Sequence, residues 1–179
     1  VYTEALRPAA FIGRARVVPL RNTGAALAPQ NAFLFLMGLE TLGLRMERHC
    51  ENAEALATWL KQHPQISWVN YATLPDSPYN ATAKKIAKGK ASGIISFGIK
   101  GGAAAGAKFI DALQMIYRLV NIGDAKSLAC HPASTTHRQL SPEELKRAGV
   151  SEDMVRISVG IEHIDDIIAD VEQALAKAA

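Results

Sequence analysis

An arginine lies in the middle of a segment with the alternating pattern of a buried strand, VRISVGI, residues 155–161. The apolar residues of this segment share one face of an extended strand, while Arg156, Ser158 and Gly160 share the other. A guanidinium presents a planar set of donors that can bind both oxygens of a carboxylate. Its position beside two small side chains predicts a site for a small anionic group. The alternative, a structural ion pair with an Asp or Glu of the same domain, stays open.

A second group of polar residues follows the preceding predicted strand. Asn121 ends that strand, Gly123 permits a sharp turn, and the run Ser134-Thr135-Thr136 comes later in the same loop. Folds that mix helices and strands place ligands at strand ends and in the loops after them. Because an amide side chain can add one donor, Arg156 and Asn121 together form a candidate clamp for an α-carboxylate.

Other candidate sites carry weaker signals. Cys130, His131 and His137 match no standard zinc spacing, so no metal site is predicted. The pair Gly101-Gly102 could receive a phosphate at a helix N-terminus, but a plain strand-to-helix turn is the preferred interpretation. The basic stretch at residues 84–90 is typical of a solvated helix end.

The composition predicts a globular protein without nucleic-acid or membrane partners. Hydrophobic residues make up 49% of the 179 residues and charged residues 21%, while aromatic residues, at 6%, are too few for base stacking. No apolar run approaches the length that a membrane span needs. The two cysteines form no CxxC pair, which favours a reducing cytoplasm. Since the chain begins at Val1 rather than Met, we expect it to be part of a longer protein.

The surrounding pattern predicts an α/β domain. A helix is predicted from Asn31 to His63, where Pro64 ends it, and its two dissimilar halves suggest that it links two bodies. After it, strands are predicted at residues 66–71, 93–102, 115–122 and 155–161. Helices alternate with them, including one that begins at a capping box of Ser141 and Glu144. Four strands interleaved with helices predict two layers, with the helices covering one face of the sheet.

Several stretches, taken in order, closely resemble the C-terminal part of the Cys/Met-metabolism family of pyridoxal-phosphate enzymes. They are RNTGAALAPQNAFLFLMGLETLGLRMERHCENA, WVNY, SFGIKGG, NIGDAKSLACHPASTTHRQLSPEEL and VRISVGIEHIDDII. The resemblance implies the small C-terminal domain of a fold-type-I enzyme, with a four-stranded, mainly antiparallel sheet. Residues 1–30 would then be the tail end of a large cofactor domain, 31–63 the interdomain helix, and 64–179 the small domain.

The resemblance also implies roles for individual residues. Arg156 would bind the α-carboxylate of the substrate, Asn121 would be a second contact beside it, and Thr136 would lie at the rim of the same site. In the family, the lysine that binds pyridoxal phosphate follows a Ser-x-Thr motif. Here Thr136 is followed by His137, so no catalytic residue is expected in this chain, and the lysine is expected upstream of Val1.

The implied reaction is a γ-replacement on an amino acid. Asn121, followed by Gly-Asp-Ala-Lys-Ser, stands where the γ-lyases carry a serine, so the chain looks most like the branch that replaces the acetoxy group of O-acetylhomoserine with sulfide or a thiol. The cofactor would be pyridoxal 5'-phosphate, and the partners an amino-acid substrate, the chain's own large domain and further copies in a dimer or tetramer. Two alternatives stay open: a cystathionine-forming synthase or methionine γ-lyase, and a free-standing amino-acid-binding domain.

Overall fold

The described chain divides into two compact units in the computed structural model, which describes residues 1–178. The first unit spans residues 1–41 and the second begins at Leu42. The first is helical: α1 (Tyr2–Leu6), α2 (Ala10–Ala15), α3 (Arg21–Thr23) and α4 (Pro29–Glu40), with a 3-10 turn at Arg7–Ala9 and a π turn at Arg16–Leu20.

Helix α4 begins earlier than the predicted helix start at Asn31. It starts at Pro29, because a proline fixes the φ angle of the first helical turn and has no amide hydrogen to leave unpaired. Its large apolar side chains are half or more exposed: Phe33, Leu34, Phe35, Leu36, Met37 and Leu39. The helical pattern stops at Thr41, and a second helix follows at Leu42.

The second unit is the α/β part of the chain. Its helices are α5 (Leu42–Gln62), α6 (Asn80–Ala87), α7 (Gly102–Ala112), α8 (Pro142–Arg147) and α9 (Ile164–Ala178), with a 3-10 turn at Pro132–Ser134. Its strands are β1 (Ile66–Asn70), β2 (Ile94–Ile99), β3 (Tyr117–Arg118), β4 (Leu128–Cys130) and β5 (Met154–Ser158). The predicted capping box is present at the start of α8, where the Ser141 hydroxyl accepts a hydrogen bond from the Glu144 amide.

The sheet differs from the predicted four-stranded, mainly antiparallel one. Within residues 1–178 the strands form one five-stranded mixed sheet in the order β1-β2-β5-β4-β3, in which β3 and β4 are parallel and the other pairs antiparallel. The additional strand is β4, whose three residues are all buried. They therefore show no alternation and were predicted to lie in a loop. The predicted strand at 115–122 contains only the two residues of β3.

The core lies between one face of the sheet and helices α5, α7 and α9. Fully buried residues alternate along the two central strands, Ile95 and Phe97 on β2 and Val155 and Ile157 on β5. The Phe97 ring meets that of Phe109 from α7 edge to face, with 5.9 Å between ring centroids.

Helix α5 also contributes fully buried residues to this core: Ala53, Leu56, Ala57 and Leu60. It is therefore part of the α/β unit. Its assignment to a linking helix over residues 31–63 stays a prediction.

Candidate functional site

Arg156 lies at the centre of a polar row that crosses four strands. Its register partners are Ser96 on β2 and Cys130 on β4, and Ser96 in turn pairs with Asn70 on β1. Directly paired residues of antiparallel strands point to the same face of the sheet. The apolar neighbours of Arg156 along β5 are buried in the core, so this row lies on the opposite face.

The guanidinium of Arg156 makes no ion pair with a carboxylate anywhere in residues 1–178. It is half-buried, and Cys130 lies beside it as its register partner on β4. Burial raises the pKa of the Cys130 thiol, and the nearby guanidinium opposes that rise. Arg156 thus has a neutral partner, and its charge is available to an anionic ligand.

The two small residues that follow Arg156 on its face have different surroundings from those predicted. Gly160 does not leave space for a ligand, because a side chain there would collide with the backbone of Ala125 and Lys126 and with the Glu162 carboxylate. Ser158 is buried, and its hydroxyl has no hydrogen-bond partner within the described part of the chain. Its register partners on the adjacent strands are the apolar residues Ile94 and Leu128.

Asn121 and Thr136 lie at one edge of the sheet. They follow β3 and β4, which are parallel, and parallel strands have their carboxyl ends at the same edge. Asn121 was predicted to be a second contact beside Arg156; β4 lies between β3, the strand before Asn121, and β5, which carries Arg156. Both polar residues are exposed: the Asn121 amide oxygen accepts a hydrogen bond from the Ile122 amide, and the Thr136 hydroxyl is 2.8 Å from His137 Nδ1.

A groove of about 430 Å³ extends from the polar row towards β1, the strand at the other side of the sheet from β3. Ser96 and Asn70 line it, together with residues of and around α6: Tyr79, Thr82, Ala83, Ile86 and Ala87. Most of its other walls are apolar, and Lys90 lies among them. The face that carries Arg156 is therefore partly enclosed on the β1 side.

Polar residues that were not predicted from the sequence make hydrogen bonds to the segment that follows β5. His49 Nδ1 lies 2.6 Å from the Val159 carbonyl oxygen, and the Asn52 amide donates to the carbonyls of Gly160 and Glu162. The Glu162 carboxylate accepts from the Ser127 amide and hydroxyl. His49 and Asn52 lie on the buried side of α5. In the sequence, only their position as polar residues within an otherwise apolar stripe could have indicated a functional or structural role.

The lysines of this chain do not fit the attachment of pyridoxal phosphate. Such attachment requires a lysine with an accessible neutral amine in an enclosed site, whereas every lysine here is exposed. Lys61 and Lys90 are also engaged in ion pairs with Asp76 and Glu47. Among residues 1–178 no group of three His, Cys, Asp or Glu side chains could hold a metal ion.

No helix of the described chain is long and apolar enough to cross a membrane.

Comparison with known proteins identifies the family. The model of the Cys/Met metabolism PLP-dependent enzymes matches residues 7–176. O-acetyl-L-homoserine sulfhydrylase 1 of Thermus thermophilus is 53% identical over 174 residues, 97% of this chain and 41% of that protein. L-methionine gamma-lyase of Pseudomonas putida is 46% identical over 171 residues, 95% of this chain and 43% of that protein.

A solved structure has the same fold. The O-acetylhomoserine (thiol)-lyase of Campylobacter jejuni superposes with a TM-score of 0.87 at 46% identity, covering 96% of this chain and 40% of that one, and it carries a pyridoxyl-lysine monophosphate. The chain thus spans about two fifths of the length of these relatives. The family model and both relatives cover nearly all of it, and the chain belongs to the Cys/Met metabolism family of PLP-dependent enzymes.

Proposed function

We propose that this chain is the C-terminal part of a PLP-dependent O-acetylhomoserine sulfhydrylase and supplies its binding site for the substrate carboxylate. The observation that carries the proposal is the Arg156 guanidinium, half-buried on the sheet face opposite the core and not ion-paired within the described residues. An arginine that only stabilised this domain would be expected to pair with a carboxylate of the domain. Identity of 53% to a sulfhydrylase favours this reaction over others of the family.

The chain's own contribution to the reaction would be orientation. Arg156 would bind both oxygens of the substrate α-carboxylate, with Asn121 as a second contact and Thr136 at the rim. Fixing the carboxylate restricts rotation of the substrate and aligns its α-carbon with the cofactor. Pyridoxal phosphate, when bound, supplies an electron sink for the γ-replacement of acetate by sulfide or a thiol, giving homocysteine or methionine. Because the lysines here do not fit it, the cofactor would be held by an upstream domain.

The domain organisation and assembly belong to the same proposal. Residues 1–30 would end the large domain of a fold-type-I enzyme, 31–63 would link it to the small domain, and 64–179 would close over the substrate. The exposed apolar side chains of α4 support this arrangement, because they require a covering surface in water. The full-length enzyme would work in the cytoplasm as a dimer or tetramer.

The proposal is tested with the full-length protein read from the coding sequence upstream of Val1. Incubation with O-acetylhomoserine and sulfide should yield homocysteine and acetate. Asn121→Ala should weaken substrate binding by roughly 1–3 kcal/mol, the effect of a lost hydrogen bond to a charged group, with the pyridoxal absorbance unchanged. If the protein forms no homocysteine from these substrates, the sulfhydrylase assignment is wrong.

A second candidate is a γ-lyase or cystathionine γ-synthase of the same family. The 46% identity to a methionine γ-lyase supports it, whereas Asn121, in place of the serine implied for γ-lyases, argues against it. Two assays of the full-length protein separate the γ-lyase and the synthase from the sulfhydrylase. One supplies methionine alone, and the other supplies an activated homoserine plus cysteine. Release of methanethiol from methionine identifies a lyase, and formation of cystathionine identifies the synthase.

A further inference from the structure

We propose that Cys130 is a positioning residue for Arg156: its side chain holds the guanidinium in the orientation that receives the substrate carboxylate. The inference rests on the proposed function, because it assumes that Arg156 binds this carboxylate. It adds a residue whose role is exerted through Arg156, without a contact to the substrate.

The pairing of strands β4 and β5 places the two side chains together. Cys130 and Arg156 are direct register partners, and such partners have their Cβ atoms about 4.5–5.5 Å apart on the same face. Cys130 is 5% exposed, so its position is set by packing. A guanidinium N–H can donate to sulfur, a weak acceptor, and the Arg156 guanidinium is near enough to the Cys130 thiol to have a lowering effect on its pKa.

The chemistry of the partner matters as much as its position. A guanidinium has five N–H donors, and a neutral sulfur occupies one of them weakly. Burial raises the pKa of the Cys130 thiol, so the thiol stays uncharged at neutral pH and leaves the charge of Arg156 uncompensated. A carboxylate at the same place would form a two-pronged ion pair and compete with the substrate.

The chain provides a matched control in its other cysteine. Cys50 is also buried and free, at 8% exposure, and burial raises its pKa as well. Its sulfur donates to the carbonyl oxygen of Ala91, 2.7 Å away, and not to a charged side chain. Substitutions at Cys50 therefore reproduce the loss of a buried thiol without affecting Arg156.

The experiment compares KM, kcat, pyridoxal absorbance and Tm of the full-length enzyme with variants at both cysteines. Cys130→Ala should raise KM for O-acetylhomoserine about fivefold, the range of one lost hydrogen bond, while kcat at saturating substrate changes less than about twofold. Cys130→Ser keeps an acceptor and should restore KM to within about twofold of the parent. Cys50→Ala should leave KM unchanged. If Cys130→Ala fails to fold, KM of Cys130→Val, which also lacks an acceptor, is compared with KM of Cys130→Ser instead.

Arg156→Ala separates failure of this inference from failure of the proposed function. If Arg156→Ala raises KM and Cys130→Ala does not, Cys130 is not a positioning residue and the carboxylate site stands. If neither variant raises KM, the proposed role of Arg156 fails together with the inference. Equal effects of Cys130→Ala and Cys130→Ser on KM, or equal effects of Cys130→Ala and Cys50→Ala, would also overturn it.

Discussion

The proposed role of Arg156 in binding a carboxylate requires the shape of its side chain as well as its charge. Arg156→Lys keeps the charge but loses the planar pair of donors, so KM of the full-length enzyme for its amino-acid substrate should rise about tenfold. Arg156→Ala should raise it further, on the order of 100-fold, as expected for the loss of two hydrogen bonds to a charged group.

Steady-state kinetics measures both effects, and the pyridoxal absorbance should persist in both variants because the exposed lysines of this chain do not fit attachment of the cofactor. Arg138→Lys, at an exposed arginine, serves as the control. An Arg156→Lys enzyme with unaltered KM would show that the paired donors are not used.

At the scale of elements, Asp170 of α9 anchors the turn between α7 and β3. It is 6% exposed, and its carboxylate accepts hydrogen bonds of 2.8–2.9 Å from the amides of Gln114, Met115 and Ile116. Asp170→Ala leaves these donors without their acceptor and should reduce the free energy of unfolding by about 3 kcal/mol or more.

Urea unfolding measures the Asp170 effect. Glu172→Ala is the control, because Glu172 is an exposed residue of the same helix that pairs with His63 and should contribute less than about 1 kcal/mol. Similar losses in the two variants would contradict the anchoring role of Asp170.

A second contact between elements gives a pH dependence. Asp153, which precedes β5, accepts hydrogen bonds from Trp68 Nε1 (2.9 Å) and the Ser67 hydroxyl of β1. Partial burial raises the pKa of Asp153, but hydrogen bonds from Ser151, Trp68 and Ser67 outweigh burial and lower it overall. Because the folded pKa lies below the unfolded one, the stability from Asp153 is complete above about pH 4 and is lost as pH falls through the folded pKa.

Replacing Asp153 should therefore remove stability at pH 7 and not in strong acid. Asp153→Asn should reduce the free energy of unfolding at pH 7 by less than about 1 kcal/mol, because the group is partly exposed, and the difference should vanish in strong acid, below the folded pKa of Asp153. Urea unfolding at both pH values measures it. In a Trp68→Phe background the effect of Asp153→Asn should shrink, and an effect independent of both pH and Trp68 would exclude this hydrogen bond as the cause.

At the scale of the whole molecule, the two units differ in the exposure of their apolar side chains. The second unit buries its apolar residues in one core, whereas α4 of the first exposes side chains such as Phe35 (63%) and Leu36 (62%). A chain shortened to residues 42–179 should keep a cooperative thermal transition. Residues 1–179 should bind a hydrophobic dye, and the shortened chain should bind less, because contiguous exposed apolar surface binds such dyes.

Dye fluorescence and calorimetry measure both properties. Leu34→Ser with Phe35→Ser, in the chain of 179 residues, should lower dye binding without changing the transition of the second unit. If the shortened chain loses its transition, or binds as much dye as the longer one, the two units are not independent in this sense.

Local patterns in the sequence predicted much of the secondary structure. Alternation of apolar residues predicted β5, a strand was predicted at residues 93–102 where β2 lies, and a capping box predicted the start of α8. These features depend on side chains that are neighbours along the chain, so they can be recognised without the fold. Strand β4 could not be found this way, because its three residues are buried on both faces and do not alternate. The nearly all-apolar sequence of α4 indicated that this helix needs a covering surface, and its large apolar side chains are exposed in the described chain.

The sequence by itself determined that Arg156 lies on a strand face opposite the core, and which side chains are available for a carboxylate site. Only the tertiary structure decided what surrounds that arginine. Cys130 and Ser96 are its neighbours because β4 and β2 pair with β5, while Asn121 lies beyond an intervening strand. The assignment of Gly160 also changed, because the backbone at residues 125–126 occupies the space that its missing side chain leaves. Strand order follows from how the whole chain buries its apolar surface, and contacts between residues far apart in sequence leave no periodic signal along the chain.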